Sequence, residues 1–331
     1  MERRKFGRTG LEVSLLGFGC GAVGGLMVNG APADQERAVA RALEMGINYF
    51  DTASQYGNGK SETNLGQVLK SLKPDIYVGT KVRLPPTERG KIGAGIAASL
   101  EASLARLQLD RVDLFQFHNA VVDATDGGQF SADEVLSEVV PAFERLRQQG
   151  KIRFFGITAV GQTAALHRVV DAKVLDSAQV SYNLLNPSPG GAVPAGFPAQ
   201  DYGNLLAHTK AADMGVINIR VLAGGAISGT EDRHPLGSPP PDPIGSGGSY
   251  RTDVERARRL TPLIREGHAD SLVEAALRYV IANDAVSTVL VGYSTMEHLE
   301  YAAASINKGP LSRAALERVA ELQRGFVGEA R

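Results

Sequence analysis

The chain has 331 residues of which 43% are hydrophobic, enough to bury a substantial core in one large domain. Its formal net charge of -1 supplies no basic field for nucleic acid or an anionic membrane surface, so neither is expected as a partner. A single cysteine, Cys20, excludes an intramolecular disulfide and a cysteine metal cluster, and the 6 histidines fall in no HExxH or comparable spacing, so no metal site is expected.

In chain order, Arg4 to Phe6 and Glu12 to Ser14 flank Gly7-Arg8-Thr9-Gly10 and read as a β-hairpin, a lid over the bottom of a barrel. This leading stretch is broken by glycine and has no small-residue cleavage site, so it does not read as a signal peptide. No apolar run reaches the ~18 residues of a membrane span, and the single cysteine makes a reducing, cytoplasmic setting the expectation. Short apolar runs then occur at Leu15 to Gly19, Asn48 to Asp51, Tyr77 to Lys81, Val112 to His118, Phe154 to Thr158, Ser177 to Ser181, Val216 to Val221 and Thr288 to Val291. Helical patterns lie between them, among them Asp34 to Met45, Ser61 to Leu69, Gly93 to Leu107, Asp133 to Gln149 and Ser271 to Asn283.

Strands that are apolar nearly throughout belong to a parallel sheet covered on one face and filled on the other. Gly17-Phe18-Gly19-Cys20-Gly21 follows the first strand but opens no helix, so a doubly wound dinucleotide fold is disfavoured. The fold class expected is α/β, a single (β/α)8 TIM barrel over residues 1–331, with the N-terminal hairpin and long loops at the C-terminal face. Those loops are Asn186 to Pro198 and Gly229 to Tyr250, too rich in proline and glycine to form a packed element; the second is either a surface excursion or a flap over the pocket. Leu311 to Phe326 reads as a packed amphipathic helix.

Asp51 closes GINYFD, Lys81 closes IYVGTK, His118 closes VDLFQFH, and Tyr56 follows Asp51 in a glycine-flanked turn. Each alone has an ordinary explanation, as loop cap, packing tyrosine or satisfied core histidine. Together at three consecutive strand ends they share one rim of a barrel, and charged groups there are costly unless they pair. A phenol with a pKa of about 10 is a poor acid near neutrality unless a cation favours the phenolate. Lys81 can supply that cation, Asp51 can pair with Lys81, and neutral His118 can donate a hydrogen bond to a carbonyl oxygen. Such a pocket protonates an oxyanion but holds no side-chain nucleophile, so an external hydride donor is implied.

With GINYFDTASQYGNGKSETNLG, the later GTK and the histidine after the fourth strand, the chain resembles the aldo-keto reductase superfamily over nearly its whole length, closest to bacterial members of the potassium-channel β-subunit-like branch. The resemblance implies Tyr56 as general acid, Lys81 and Asp51 as its tuning pair, His118 as the orienting group and NADPH, with NADH possible, as hydride donor to an aldehyde or ketone. It further implies cofactor contacts from Gly19, Cys20, Gly21, Asp51, Thr158, Gln179, Arg220, Leu222, Gly224, Gly225, Gly292, Ser294, Thr295 and His298. Gln179 and Asn183, in AQVSYNLL, resemble the family's strand-six segment, which implies that the glutamine holds the nicotinamide carboxamide. Ala159, Ile219, His298 and Tyr301 depart from the residues usual in that family, the last two where a 2′-phosphate and adenine are gripped. The pocket is expected to be lined by Val23, Leu26, Met27, Asn119 and Ala120. Three other readings remain open: the same chemistry run backwards as an NAD(P)-dependent alcohol or sugar dehydrogenase, a cofactor-loaded regulatory subunit with little turnover, and a Schiff-base chemistry at Lys81. Physiological substrate, direction and oligomeric state are not specified by the residues.

Overall fold

The computed structural model describes residues 1–245 and 247–328. Among these, β1 (Arg3–Lys5) and β2 (Glu12–Ser14) form the hairpin, followed by β3 (Leu16–Gly19), β4 (Tyr49–Asp51), β5 (Tyr77–Val82) and β6 (Val112–Phe117). After a two-residue pair, β7 (Val121–Val122) and β8 (Phe130–Ser131), come β9 (Ile152–Thr158), β10 (Ser177–Ser181), β11 (Gly215–Ile219) and β12 (Thr288–Gly292). Strands β3, β4, β5, β6, β9, β10, β11 and β12 pair in that order, all parallel, and β12 returns to β3 to close the barrel. This is the (β/α)8 architecture expected from the alternating pattern. Among the described residues, no helix is long and apolar enough to cross a membrane.

Side-chain alternation explains why both faces of each strand are apolar. On β6, Leu114 points into the barrel toward Ile217 and Tyr49, whereas its neighbour Phe115 packs outside against Phe143 of helix Val140–Gln148, the rings tilted by 57° with centroids 5.3 Å apart.

Several bounds differ from the sequence reading for local reasons. The helix expected over Ser61 to Leu69 runs Lys60–Leu72 and ends on Lys73 at φ 48, a left-handed cap without the glycine that would have announced it. The helix expected over Asp133 to Gln149 contains a π turn, Val135–Val139, just before Pro141, whose missing N–H breaks the regular ladder. The strand expected over Val216 to Val221 stops at Ile219, because Arg220 turns to φ 58.

The hairpin closes the bottom of the barrel through Phe6, 1% exposed, which stacks on Tyr49 with ring centroids 6.3 Å apart. Two glycines make the insertion possible: a Cβ at Gly7 would lie 2.3 Å from the Gly215 amide nitrogen, and one at Gly215 would lie 2.6 Å from the Phe6 ring. Phe6→Ala is expected to lower stability by about 3–5 kcal/mol in urea unfolding, since the plug is rigidly framed and the cavity cannot collapse. A change below about 1 kcal/mol would mean that the hairpin only rests on the barrel.

Neither long loop is a loose excursion. In the first, the Asn186 side chain accepts from Ser188 and donates to the Gln200 carbonyl at 3.0 Å. In the second, of which Ser246 lies outside the described residues, Ser238 N donates to Ala22 O at 2.9 Å and Asn29 Nδ2 to Leu236 O at 2.9 Å. Arg233 donates to the Gly224 carbonyl at 2.6 Å, and Asp253 accepts from Ile244 N at 2.7 Å. The segment thus bridges the rim turn after β3 to the turn after β11. The C-terminal helix, Arg313–Gln323, packs as expected and donates from Gln323 Nε2 to Leu184 O at 2.9 Å.

Candidate active site

The parallel barrel brings the C-terminal ends of β4, β5 and β6 to one rim, with Asp51 ending β4, Lys81 in β5 and His118 one residue past β6. Lys81 is 0% and Asp51 3% exposed. The Lys81 ammonium donates to Asp51 Oδ1, to the Thr52 carbonyl at 2.6 Å and to Tyr56 Oη at 3.4 Å. The same nitrogen stands 4.8 Å from the Tyr56 ring centroid. Burial disfavours the ammonium, but Asp51 and then Tyr56 outweigh it, and the Lys81 pKa stands above the ordinary lysine value. Lys81 is therefore a fixed cation at neutral pH.

The other Asp51 oxygen, Oδ2, accepts from Tyr49 Oη at 3.0 Å and from Gln179 Nε2 at 2.9 Å. Tyr49 lies two residues before Asp51 on the same strand and so shares its inward face. Gly79, paired with Asp51 across β4 and β5, leaves room for it: a Cβ there would lie 2.4 Å from Tyr49 Oη. Burial first, then Asp51, push the Tyr49 pKa well above the ordinary phenol value, so Tyr49 stays a donor. Neither Tyr49 nor the space above Gly79 was picked out from the sequence, although period-two alternation back from Asp51 pointed to Tyr49.

His118 Nδ1 lies 2.7 Å from Thr158 Oγ1, and Thr158 Oγ1 donates to Gln179 Oε1 at 3.0 Å. Burial, then Lys81, Arg83 and Arg220, push the His118 pKa down to about 3, so the imidazole is neutral at physiological pH. All four rim residues therefore come together, with Gln179 and Thr158 inside the same hydrogen-bonded chain.

The remaining residues expected around a cofactor lie past the ends of three strands, β3, β11 and β12. Cys20 is fully buried, its N–H donates to Asp51 O at 2.9 Å, and burial followed by Asp51 raises its thiol pKa, so it has no nucleophilic character. Gly19 and Gly21 flank it at the rim. Arg220 (φ 58), Ala223 (φ 47), Gly224 (φ 68) and Gly225 (φ 109) form a left-handed turn after β11 that includes Leu222. Asn183 Nδ2 holds the Arg220 carbonyl at 3.0 Å. At the end of β12, Gly292 leads to Ser294, whose hydroxyl donates to Gly24 O at 2.6 Å, and to Thr295, which caps helix Met296–Asn307 by accepting from His298 N at 3.3 Å. The Ser294 hydroxyl hydrogen is thus already used inside the protein, and the His298 amide is taken up by the Thr295 cap. His298 meets His234 of the long loop edge to face at 6.3 Å, and desolvation followed by His234 lowers its pKa.

The expected pocket lining is corrected in part. Leu26 and Met27 are buried in the core, and Val23 is 47% exposed. Asn119 is 1% exposed and its amide is fully engaged, accepting from Leu84 N and donating to Leu84 O and Gly128 O. Ala120 does line a cavity of about 430 Å³, with Gln55, Arg83, Leu84 and Gln129, where the buried Gln55 Oε1 has no hydrogen-bond partner. Arg83 and Gln129 were missed because nothing in their local sequence marks them; they reach the cavity through the rim loops.

A sequence profile of the Aldo/keto reductase family matches residues 15–324. L-galactose dehydrogenase from Arabidopsis thaliana is 32% identical over 325 residues, covering 93% of this chain and 89% of its own. D-threo-aldose 1-dehydrogenase from a Pseudomonas species is 29% identical over 332 residues, covering 91% and 92%. Among solved structures, the holo form of aldo-keto reductase AKR11C1 from Bacillus halodurans superposes with a TM-score of 0.74 at 27% identity, covering 99% of this chain and 98% of that one.

Proposed function

The chain belongs to the aldo/keto reductase family and is an oxidoreductase, and on that premise we propose that it interconverts an alcohol and an aldehyde or ketone with NADP(H), Tyr56 carrying the proton. One observation supports this assignment above the rest: the Lys81 ammonium, fixed by Asp51, sits 3.4 Å from Tyr56 Oη. It stands where negative charge develops as the phenol gives up its proton to a substrate oxygen. The nicotinamide, when bound, supplies or accepts the hydride.

The residues present fit such a cofactor. Gln179 uses one Nε2 hydrogen on Asp51 and keeps a second for a carboxamide oxygen. Arg220, the left-handed turn at Gly224 and Gly225, and the amides at the start of helix Met296–Asn307 offer donors to phosphate, with Gly19, Cys20, Gly21 and Gly292 contributing backbone at the rim. Thr158 holds Gln179 in place. The raised Lys81 pKa and its three hydrogen bonds weigh against a Schiff-base role, which needs a neutral amine free to attack.

The names of the relatives favour oxidation of a sugar-like hydroxyl as the working direction. Steady-state assays both ways, with aldoses and NADP⁺ and with small aldehydes and NADPH, test this reading. Turnover in neither direction alongside tight cofactor binding would replace it with the regulatory-subunit reading. In this reading His298 would meet the 2′-phosphate of NADP(H), to which a neutral imidazole offers one donor. His298→Arg, which adds a charged bidentate fork, is expected to tighten NADPH about tenfold by fluorescence titration and leave NADH unchanged. Equal tightening of both dinucleotides would remove His298 from that corner.

A further inference from the structure

The cavity of about 430 Å³ carries the rim outward, and its volume is that of a small-molecule site. Each segment that bears a rim residue supplies part of its wall: Gln55 precedes Tyr56, Arg83 lies two residues past Lys81, and Ala120 two past His118. The backbone on both sides of Arg83 is clamped. His118 N donates to Val82 O at 2.8 Å, and Asn119 accepts from Leu84 N at 2.9 Å and donates to Leu84 O at 2.8 Å. Pro85 and Pro86 then restrict the chain that follows. The exposed Arg83 guanidinium has no hydrogen-bond or ion-pair partner among the described residues. Arg89, by contrast, spends its own on the Gly127 and Gln129 carbonyls. No acidic side chain lines the cavity, whose other polar walls are the neutral amides of Gln55 and Gln129. Burial first, then Lys81, Arg83 and Arg220, keep His118 neutral, which puts Arg83 within electrostatic reach of the reacting atoms.

We infer that Arg83 determines substrate specificity, and that the substrate bears an anionic group, carboxylate or phosphate, at the end remote from its reacting carbon, as a sugar acid or sugar phosphate does. Of the three cations facing His118, Lys81 is balanced by Asp51. Arg220 belongs to the turn after β11, four strands from β5 in a ring of eight, where the proposed cofactor phosphate lies. Arg83 is the cation left for substrate. A guanidinium held at the wall of a cavity takes a carboxylate or phosphate through paired, charge-assisted hydrogen bonds. A neutral polyol accepts the same hydrogen bonds without the charge that makes them strong. The substrate class rests on the oxidoreductase reading above; the anion site does not.

The test compares matched pairs: galacturonate with galactose, and glucose phosphorylated on its terminal hydroxyl with glucose, both with NADP⁺, and succinic semialdehyde with butanal, with NADPH. The native chain is expected to show a kcat/KM about 10- to 100-fold higher for the anionic member of at least one pair. The responding pair tells carboxylate from phosphate, and the preference is expected to shrink with added salt. Arg83→Gln is expected to remove that preference, chiefly through KM, and Arg83→Lys to restore part of it. A residue that acted only on the charge state of His118 would lower kcat equally for both members of a pair. Equal loss on both members, or a native chain indifferent to charge in all three pairs, overturns the proposal. If no pair turns over, the oxidoreductase reading fails, and calorimetric titration of galacturonate and the glucose phosphate into the native chain and Arg83→Gln decides the site. Binding of either that is lost in Arg83→Gln upholds the anion site; no binding, or binding that the substitution leaves in place, overturns it.

Discussion

Tyr56→Phe is expected to lower turnover by about 10²- to 10⁴-fold, the range for loss of a general acid or base, while cofactor affinity stays near that of the native chain. The substitution keeps the ring and its contact with the Lys81 ammonium, whose nitrogen lies 4.8 Å from the ring centroid, and removes only Oη, 3.4 Å from the same nitrogen. Folding is therefore expected to be nearly unchanged, and any loss of rate is chemical. Single-turnover kinetics separates hydride transfer from product release, and a dinucleotide fluorescence titration reports binding. Turnover within a few-fold of native would show that another group moves the proton. His118 is the only other titratable side chain of the rim set free of an ion pair, and with a pKa near 3 it is a weak base there.

The four rim residues were legible in the sequence because each interrupts or ends an apolar run, where a charged or hydrogen-bonding side chain stands out against its neighbours. The barrel was legible for the same reason, from the repetition of such runs. What joins the rim residues was not. Gln179 meets Asp51 across 128 positions of chain, and Thr158 meets His118 across 40, and only the closure of the barrel puts those pairs within reach. Their hydroxyl and amide groups are ordinary in a strand until the register is known. The Gly229 to Tyr250 segment was legible as a loop, but not what fastens it. Its proline and glycine content excludes regular structure, yet Arg233 and Asp253 anchor its backbone, and close approaches at Gly25 and Gly224 seat it on the rim. Composition predicts the absence of a helix there but carries no information about side chains that fasten a loop from elsewhere.

Lys81→Met is expected to remove activity to a degree similar to Tyr56→Phe and, unlike it, to destabilise the fold by about 3–5 kcal/mol, because it leaves Asp51 buried and charged without its cation. The two effects have different origins and can be separated. Asp51 keeps Tyr49 and Gln179 as donors, but neither is charged, and 3% exposure leaves no route to solvent. Adding Asp51→Asn to Lys81→Met removes the stranded charge, so the double variant is expected to recover a large part of the lost stability in urea unfolding and none of the activity. The pH dependence has a definite sign. The folded Lys81 pKa lies above the ordinary value of 10.5, so the stabilisation from the pair is fully present below that pH and is lost as pH rises through the folded value. The native chain is expected to lose stability in that alkaline window, and Lys81→Met to lack that component of the slope. If instead Lys81→Met proves as stable as the native chain, the desolvation of two buried charges already cancels their attraction, and the pair persists at this rim for what the ammonium does to Tyr56 and not for what it does for the barrel.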